Sequence, residues 1–197
     1  DFYSVLSVQV NDPDKDAYSG YFLGRAANDF LGGTSSDNSF YSLNDTWSGS
    51  WNFRLYEMYV DANQIDGLEK LRIGRQSLYD TPEYLSFDGA LAITEPDENG
   101  TSLGVYGGLP FRAYESERSE GRIAGSWIET EPWRGGRVRF DYLYLNDELA
   151  AQEESNNFMA VSFWQTFDRW LRLRGNYSFV EGRSRDAEIA ATYYNPE

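Results

Sequence analysis

The sequence contains no cysteine and no histidine among its 197 residues. Without cysteine the chain has no disulfide bonds, no thiolate zinc sites and no cysteine nucleophile. Without histidine it lacks the usual general base of enzymes and the usual ligand of transition metals. These absences argue against an enzyme, and the sequence predicts no catalytic residues, no metal site and no cofactor.

Long apolar runs and an excess of positive charge are missing as well. A transmembrane helix needs a run of about eighteen apolar residues, and the sequence contains none. Lysine and arginine number 17 against 32 aspartates and glutamates, which gives a formal net charge of −15. A protein that binds nucleic acid would carry a basic stripe instead, so we expect no nucleic acid as partner.

Aromatic residues, by contrast, make up 17% of the chain. Many segments place apolar residues at every second position, which is typical of β-strands. Short breaks with signals such as Asp66-Gly67 and Asn99-Gly100 separate these segments. We therefore predict one all-β domain over residues 1–197. Its eleven predicted strands span residues 2–10, 17–28, 51–62, 68–77, 86–95, 102–111, 122–130, 137–146, 157–167, 170–180 and 187–194.

The lengths of the predicted connections alternate along the chain. Tight turns follow every odd-numbered strand, and longer polar loops follow the even-numbered ones, at residues 29–50, 78–85, 112–121, 147–156 and 181–186. Outer-membrane barrels alternate in this way, with short periplasmic turns and long extracellular loops. Strands of about ten residues also have the length that a tilted strand needs to cross a bilayer.

This alternation predicts an antiparallel up-and-down transmembrane β-barrel in the outer membrane, in contact with membrane lipid and lipopolysaccharide. The count of eleven strands is odd, whereas single-chain bacterial barrels have an even number. In lipid every backbone polar group must be paired, so the sheet must close. We therefore expect these residues to form part of a larger barrel.

Three segments carry a resemblance to a known group of proteins. Residues 53–61 read FRLYEMYVD, residues 71–76 read LRIGRQ, and residues 86–89 read SFDG. In this order they resemble large Gram-negative outer-membrane porins, including alginate-export-type barrels and the porin sheaths of porin–cytochrome electron conduits. The resemblance covers roughly residues 51–93. It implies a passive channel or a sheath and brings no catalytic residues.

Strict alternation within strands also predicts which side chains line the pore. Arg172 and Arg174 share the face opposite Leu171, and a charge that faces the bilayer centre costs several kcal/mol. The apolar side chains of these strands, such as Leu171, should then face lipid. Arg72 or Arg75 could line the pore as an ion pair with Asp88. The alternative is an ion pair that only fixes the register of the two strands. The predicted pore-lining residues are Arg72, Asp88, Arg139, Asp141, Arg172, Arg174 and Glu188.

Three functions remain open on the sequence alone. The first is an outer-membrane channel for passive passage of small polar solutes. The second is a barrel that sheathes a partner such as a multihaem cytochrome; the haem would belong to that partner, because this chain has no Cys-x-x-Cys-His motif. The third is a soluble carbohydrate-binding β-sandwich that uses exposed tryptophan and tyrosine.

Overall fold

The chain forms an all-β structure, as the sequence predicts. The computed structural model describes residues 2–28, 51–79, 81–111, 121–147, 154–168 and 170–194. Within these ranges there are eleven strands and no helix, hence no helix long and apolar enough to cross a membrane. The strands are β1 Phe2–Val10, β2 Tyr18–Asn28, β3 Asn52–Ala62, β4 Leu68–Leu78, β5 Leu85–Thr94, β6 Ser102–Pro110, β7 Arg122–Trp133, β8 Gly136–Asp147, β9 Glu154–Phe167, β10 Leu171–Val180 and β11 Arg183–Tyr193.

All eleven strands belong to one antiparallel sheet, in which each strand pairs with its neighbours in the chain. This up-and-down order confirms the predicted topology. It places the connections after odd-numbered strands at one rim and those after even-numbered strands at the other. We call these the turn rim and the loop rim.

One predicted connection is wrong. The polar loop expected at residues 181–186 is a tight turn of Glu181 and Gly182, because β11 already begins at Arg183. Both turn residues have positive φ angles, 50° and 72°, as a two-residue hairpin turn requires. Four consecutive polar residues at the start of β11 concealed the strand. Of the loop predicted at residues 147–156, residues 148–153 lie outside the described residues.

The sheet is open rather than closed. Among the strands that the structure describes, none pairs with the outer edge of β1 or of β11, and these two strands do not pair with each other. The sheet is nevertheless curved, because residues from β4 to β11 surround a common cavity. The single sheet also differs from the two packed sheets of a β-sandwich.

The two faces of the sheet have different composition. Residues that are partners in register share a face, so Arg72, Leu91 and Tyr106 define an inner face. The inner face carries the buried apolar cluster, which includes Phe87, Leu91, Tyr106, Trp127, Leu143 and Phe158. The outer face carries exposed apolar side chains, among them Ile73, Val105, Phe140 and Val161.

Glycines on the inner face make room for its large aromatic side chains. A Cβ atom on Gly104 would overlap the indole ring of Trp127, its partner on β7. Likewise, a Cβ atom on Gly89 would overlap the carbonyl oxygen of Gly107 on β6. Close backbone approach and ring-over-glycine packing both depend on the absence of a side chain, and they allow the sheet to curve around its inner face.

Candidate functional site

The candidate site is a cavity of about 1190 Å³ on the inner face. Five of the seven predicted pore-lining residues line this cavity. They are Arg72, Arg139, Asp141, Arg174 and Glu188. They come from four strands, β4, β8, β10 and β11, so the curvature of the sheet brings together residues far apart in the chain. The cavity is therefore lined by both positive and negative side chains.

A ladder of alternating charge runs along β7 and β8. Arg139 Nε donates a hydrogen bond to Asp141 Oδ1 at 2.9 Å, and the two residues are only 6% and 4% exposed. Glu129 lies across the strand pair, with its carboxylate 3.9 Å from Arg139 Nη1 and 3.5 Å from Arg137 Nη1. Residues two apart in a strand share a face, which is why Arg137, Arg139 and Asp141 line up.

Two tryptophans flank this ladder. The guanidinium carbon of Arg137 lies 4.1 Å from the ring centre of Trp164, and that of Arg139 lies 4.6 Å from the ring centre of Trp127. Such cation–π contacts hold the guanidinium groups in fixed positions. The second carboxylate oxygen of Asp141 has no hydrogen-bond partner among the described residues, although it is buried. The wall thus offers one unused acceptor.

Two further ion pairs lie on the inner face. Arg72 holds Asp61 through two hydrogen bonds, of 2.7 and 2.9 Å, and Asp61 is 2% exposed. Arg174 binds Glu188 at 2.7 Å, and both of these side chains are exposed. Arg172 shares the inner face by alternation and lies against the ring of Tyr194, but it does not line the cavity.

A contact that the sequence did not predict crosses the cavity. Glu83, in the connection between β4 and β5, binds Arg185 on β11, with 2.5 Å between Oε1 and Nη1. A register shift in the β10–β11 ladder inserts Arg185 as an extra residue opposite Ser178 and Phe179. Such bulges change the direction of a side chain. Both residues lie in segments that the sequence predicts to be loops, so strand periodicity carries no signal for this contact.

Asp88 is placed differently from the prediction. It lies on the outer face, where Arg75 binds it through hydrogen bonds of 2.6 and 2.7 Å. Arg75 and Asp88 are partners in the β4–β5 register, whereas Arg72 is partnered with Leu91 on the inner face. Asp88 is therefore excluded from the cavity wall, and its geometry is that of the register-fixing ion pair considered as the alternative.

Comparison with known proteins gives no match, either to a protein-family model or to a curated protein sequence. The resemblance to large outer-membrane porins therefore remains a prediction that rests on residues 51–93. Among the residues that the structure describes, no group of three or more acidic side chains is arranged to hold a metal ion. The sheet therefore has charged side chains on its inner face, around the cavity, and apolar side chains on its outer face.

Proposed function

We propose that this chain forms the wall of an outer-membrane β-barrel channel for small polar solutes. The observation that carries the proposal is the contrast between the two faces of one sheet. The inner face surrounds a charged cavity, and the outer face exposes apolar side chains such as Ile73, Val105 and Val161. Transmembrane barrels have this arrangement, with an apolar band facing lipid and a polar interior.

Contact with lipid explains why the apolar outer face is exposed. Soluble monomers seldom expose contiguous apolar patches larger than a few hundred Å². Here the exposed apolar residues extend across neighbouring strands, since Phe140 and Val161 are partners in the β8–β9 register. Trp133 and Trp170 are both exposed and lie next to connections of the turn rim. Tryptophan at the ends of strands is typical of the membrane–water interface.

Closure of the barrel would come from further strands at the edges of β1 and β11. A sheet edge normally carries charged residues, proline or bulges that prevent pairing with another strand. The sequence of β1, FYSVLSVQV, has no charged residue and no proline. Its edge therefore has the composition of a strand that pairs on both sides, which supports a larger barrel.

Passage of small polar solutes is the function that the cavity favours. Its wall offers fixed guanidinium and carboxylate groups, and such groups select solutes by charge and by hydrogen bonding. The link between Glu83 and Arg185 crosses this space and would limit the size of what passes. A sheath around a cytochrome is the second candidate. It is favoured by the buried Arg72–Asp61 and Arg139–Asp141 pairs, which neutralise much of the wall.

Conductance across a planar lipid bilayer tests the proposal. Arg174 is exposed on the inner face, so the Arg174→Glu variant should shift the reversal potential in a salt gradient towards cation selectivity. Arg134→Glu makes the same charge change in the turn between β7 and β8, and it should leave the reversal potential unchanged. A complete barrel, with the further strands beside β1 and β11, that neither inserts into the bilayer nor conducts ions would contradict the proposed function. An insertion-competent chain without conductance would favour the sheath.

A further inference from the structure

The pairing of β3 with β4 ends halfway along the two strands. Their register runs from Ala62↔Leu71, near the turn rim, to Met58↔Arg75. Both strands continue beyond this point towards the loop rim, β3 to Asn52 and β4 to Leu78. In the described part of the chain, no register pair joins these two continuations. The sheet therefore divides into β1–β3 and β4–β11 on the side of the loop rim.

Each strand keeps its other neighbour where the two separate. β3 continues its pairing with β2, through Leu55↔Gly24, and β4 continues its pairing with β5 as far as Leu78↔Leu85. Gly74 lies in the paired part of the ladder, opposite Tyr59, and its φ of 137° is a conformation that side chains rarely adopt. A Cβ atom there would overlap the carbonyl oxygen of Met58. The backbones of β3 and β4 are therefore in close contact at Gly74, and the seam begins beyond the next pair, Met58↔Arg75.

Side chains bridge the seam where backbone pairing has ended. Arg75 Nη1 donates a hydrogen bond to the carbonyl oxygen of Leu55 on β3, at 3.1 Å. The other nitrogens of the same guanidinium bind Asp88 on β5, and its carbon lies 3.7 Å from the ring centre of Phe111. From beyond the loop-rim end of β4, the Tyr79 hydroxyl donates to Glu57 on β3 at 3.4 Å.

In a bilayer, a seam that only side chains bridge differs from a strand pair whose backbones are hydrogen-bonded along their whole length. Unpaired backbone groups are costly in lipid, so barrel strands normally pair along their whole length. Here one guanidinium supplies a donor to β3 and remains anchored on Asp88. A side chain can swing aside on a far shorter timescale than strands can separate. Phe53 and Met58 are exposed on the outer face of β3, so the surface beside the seam is apolar.

We propose that the seam between β3 and β4 is a lateral portal, which admits the apolar chain of a lipid-like amphipath from the bilayer to the inner face. Arg75 is its latch, because it holds β3 and β5 together while the seam is closed. Gln76 lies on the inner face of β4 beside the seam, Phe87 is its register partner on β5, and both are fully buried in the closed state. This inference rests on the proposed membrane location but does not depend on which solute the cavity conducts.

A cross-linking experiment tests the portal, and the absence of native cysteine makes it simple. Tyr56→Cys with Ser77→Cys, joined by a short bis-maleimide, would hold the seam closed. The matched control is Val60→Cys with Ile73→Cys, joined in the same way across the part of the ladder that is already paired. The probe is a fatty acid with a photoactivatable group on its chain, incorporated into phospholipid vesicles that contain the protein. Adducts are mapped by mass spectrometry after illumination.

We expect adducts at Gln76 and Phe87 in the wild type and in the control pair, and their loss when the seam is joined. Arg75→Gln should increase these adducts, since it removes the latch. Adducts confined to outer-face residues, or unchanged when the seam is joined, would overturn the portal. Conductance recorded on the same samples separates the two proposals. A conducting channel with unchanged adducts refutes only the portal, whereas a complete barrel that does not insert refutes both.

Discussion

Replacement of Val161 by arginine tests whether the outer face contacts lipid. Val161 lies near the middle of β9, with Phe140 and Tyr177 as its register partners. It is 41% exposed. Since full burial of a valine contributes about 1.5–3 kcal/mol, loss of the buried part costs roughly 1 kcal/mol relative to an unfolded chain in water. An arginine at the midplane of a bilayer costs about 2–4 kcal/mol in addition. No carboxylate lies at a register partner of Val161 to neutralise the new charge.

The assay is urea unfolding in phospholipid vesicles, followed by tryptophan fluorescence. Val161→Arg should lower the free energy of unfolding by about 3–5 kcal/mol, the sum of the burial and bilayer contributions. The control is Asn176→Arg, at mid-strand on the inner face. It loses one hydrogen bond to Ser162 and faces Glu188, a carboxylate that it would share with Arg174, so its net cost should stay within about 1 kcal/mol. Equal costs for the two variants would refute the assignment of the faces.

Three further predictions concern the inner face and the turn rim. Arg139→Met should destabilise the fold by about 3–5 kcal/mol in urea unfolding, because it leaves the buried carboxylate of Asp141 without its cation; adding Asp141→Leu should recover most of the loss. Gly104→Ala should cost about 1–3 kcal/mol by overlap with the tryptophan that covers it, whereas Gly20→Ala, where a Cβ meets only an ordinary contact, should be nearly neutral. Hydrogen bonds to Asp97 from the backbone N–H groups of the following turn hold the pKa of this carboxyl below its usual value. Above the ordinary aspartate pKa, the turn should therefore be protected from amide hydrogen exchange. This protection should be lost as the pH falls through the lowered pKa of Asp97. An Asp97→Asn variant should show no such pH dependence.

The strands and their order were predictable because a period of two is a local property of the sequence. Phe140 and Tyr142 alternate with Arg139 and Asp141, and this contrast alone assigns the faces of β8 correctly. The tight turns were also predictable, since Asp66-Gly67 and Asn99-Gly100 have the residue types that such turns require.

Asp88 shows where this reasoning fails. In β5 both faces are apolar: the large Phe87 and Leu91 face inward, and the small Ala90 and Ala92 face outward. Alternation between apolar and charged residues therefore cannot indicate which side of β5 faces the cavity. The Arg75–Asp88 pair is stable on the outer face because the guanidinium and the carboxylate neutralise each other.

The contact between Glu83 and Arg185 and the seam beside Gly74 could not be predicted for a different reason. The first depends on a bulge in β11 and on the curvature that brings β11 opposite the β4–β5 connection. The second depends on where the pairing of β3 with β4 ends. Neither feature leaves a periodic signal, because each arises from how strands meet in the sheet rather than from alternation within one strand.

The most direct test of the central claim is to measure which solvent each face contacts. A nitroxide label attached to Val161→Cys reports on the outer face, and one attached to Arg174→Cys reports on the inner face. In phospholipid vesicles, we expect the label at 161 to collide mainly with oxygen, which concentrates in lipid, and the label at 174 to collide mainly with a polar nickel chelate. High accessibility to the nickel chelate at both positions would contradict the account, because the outer face would then be in water.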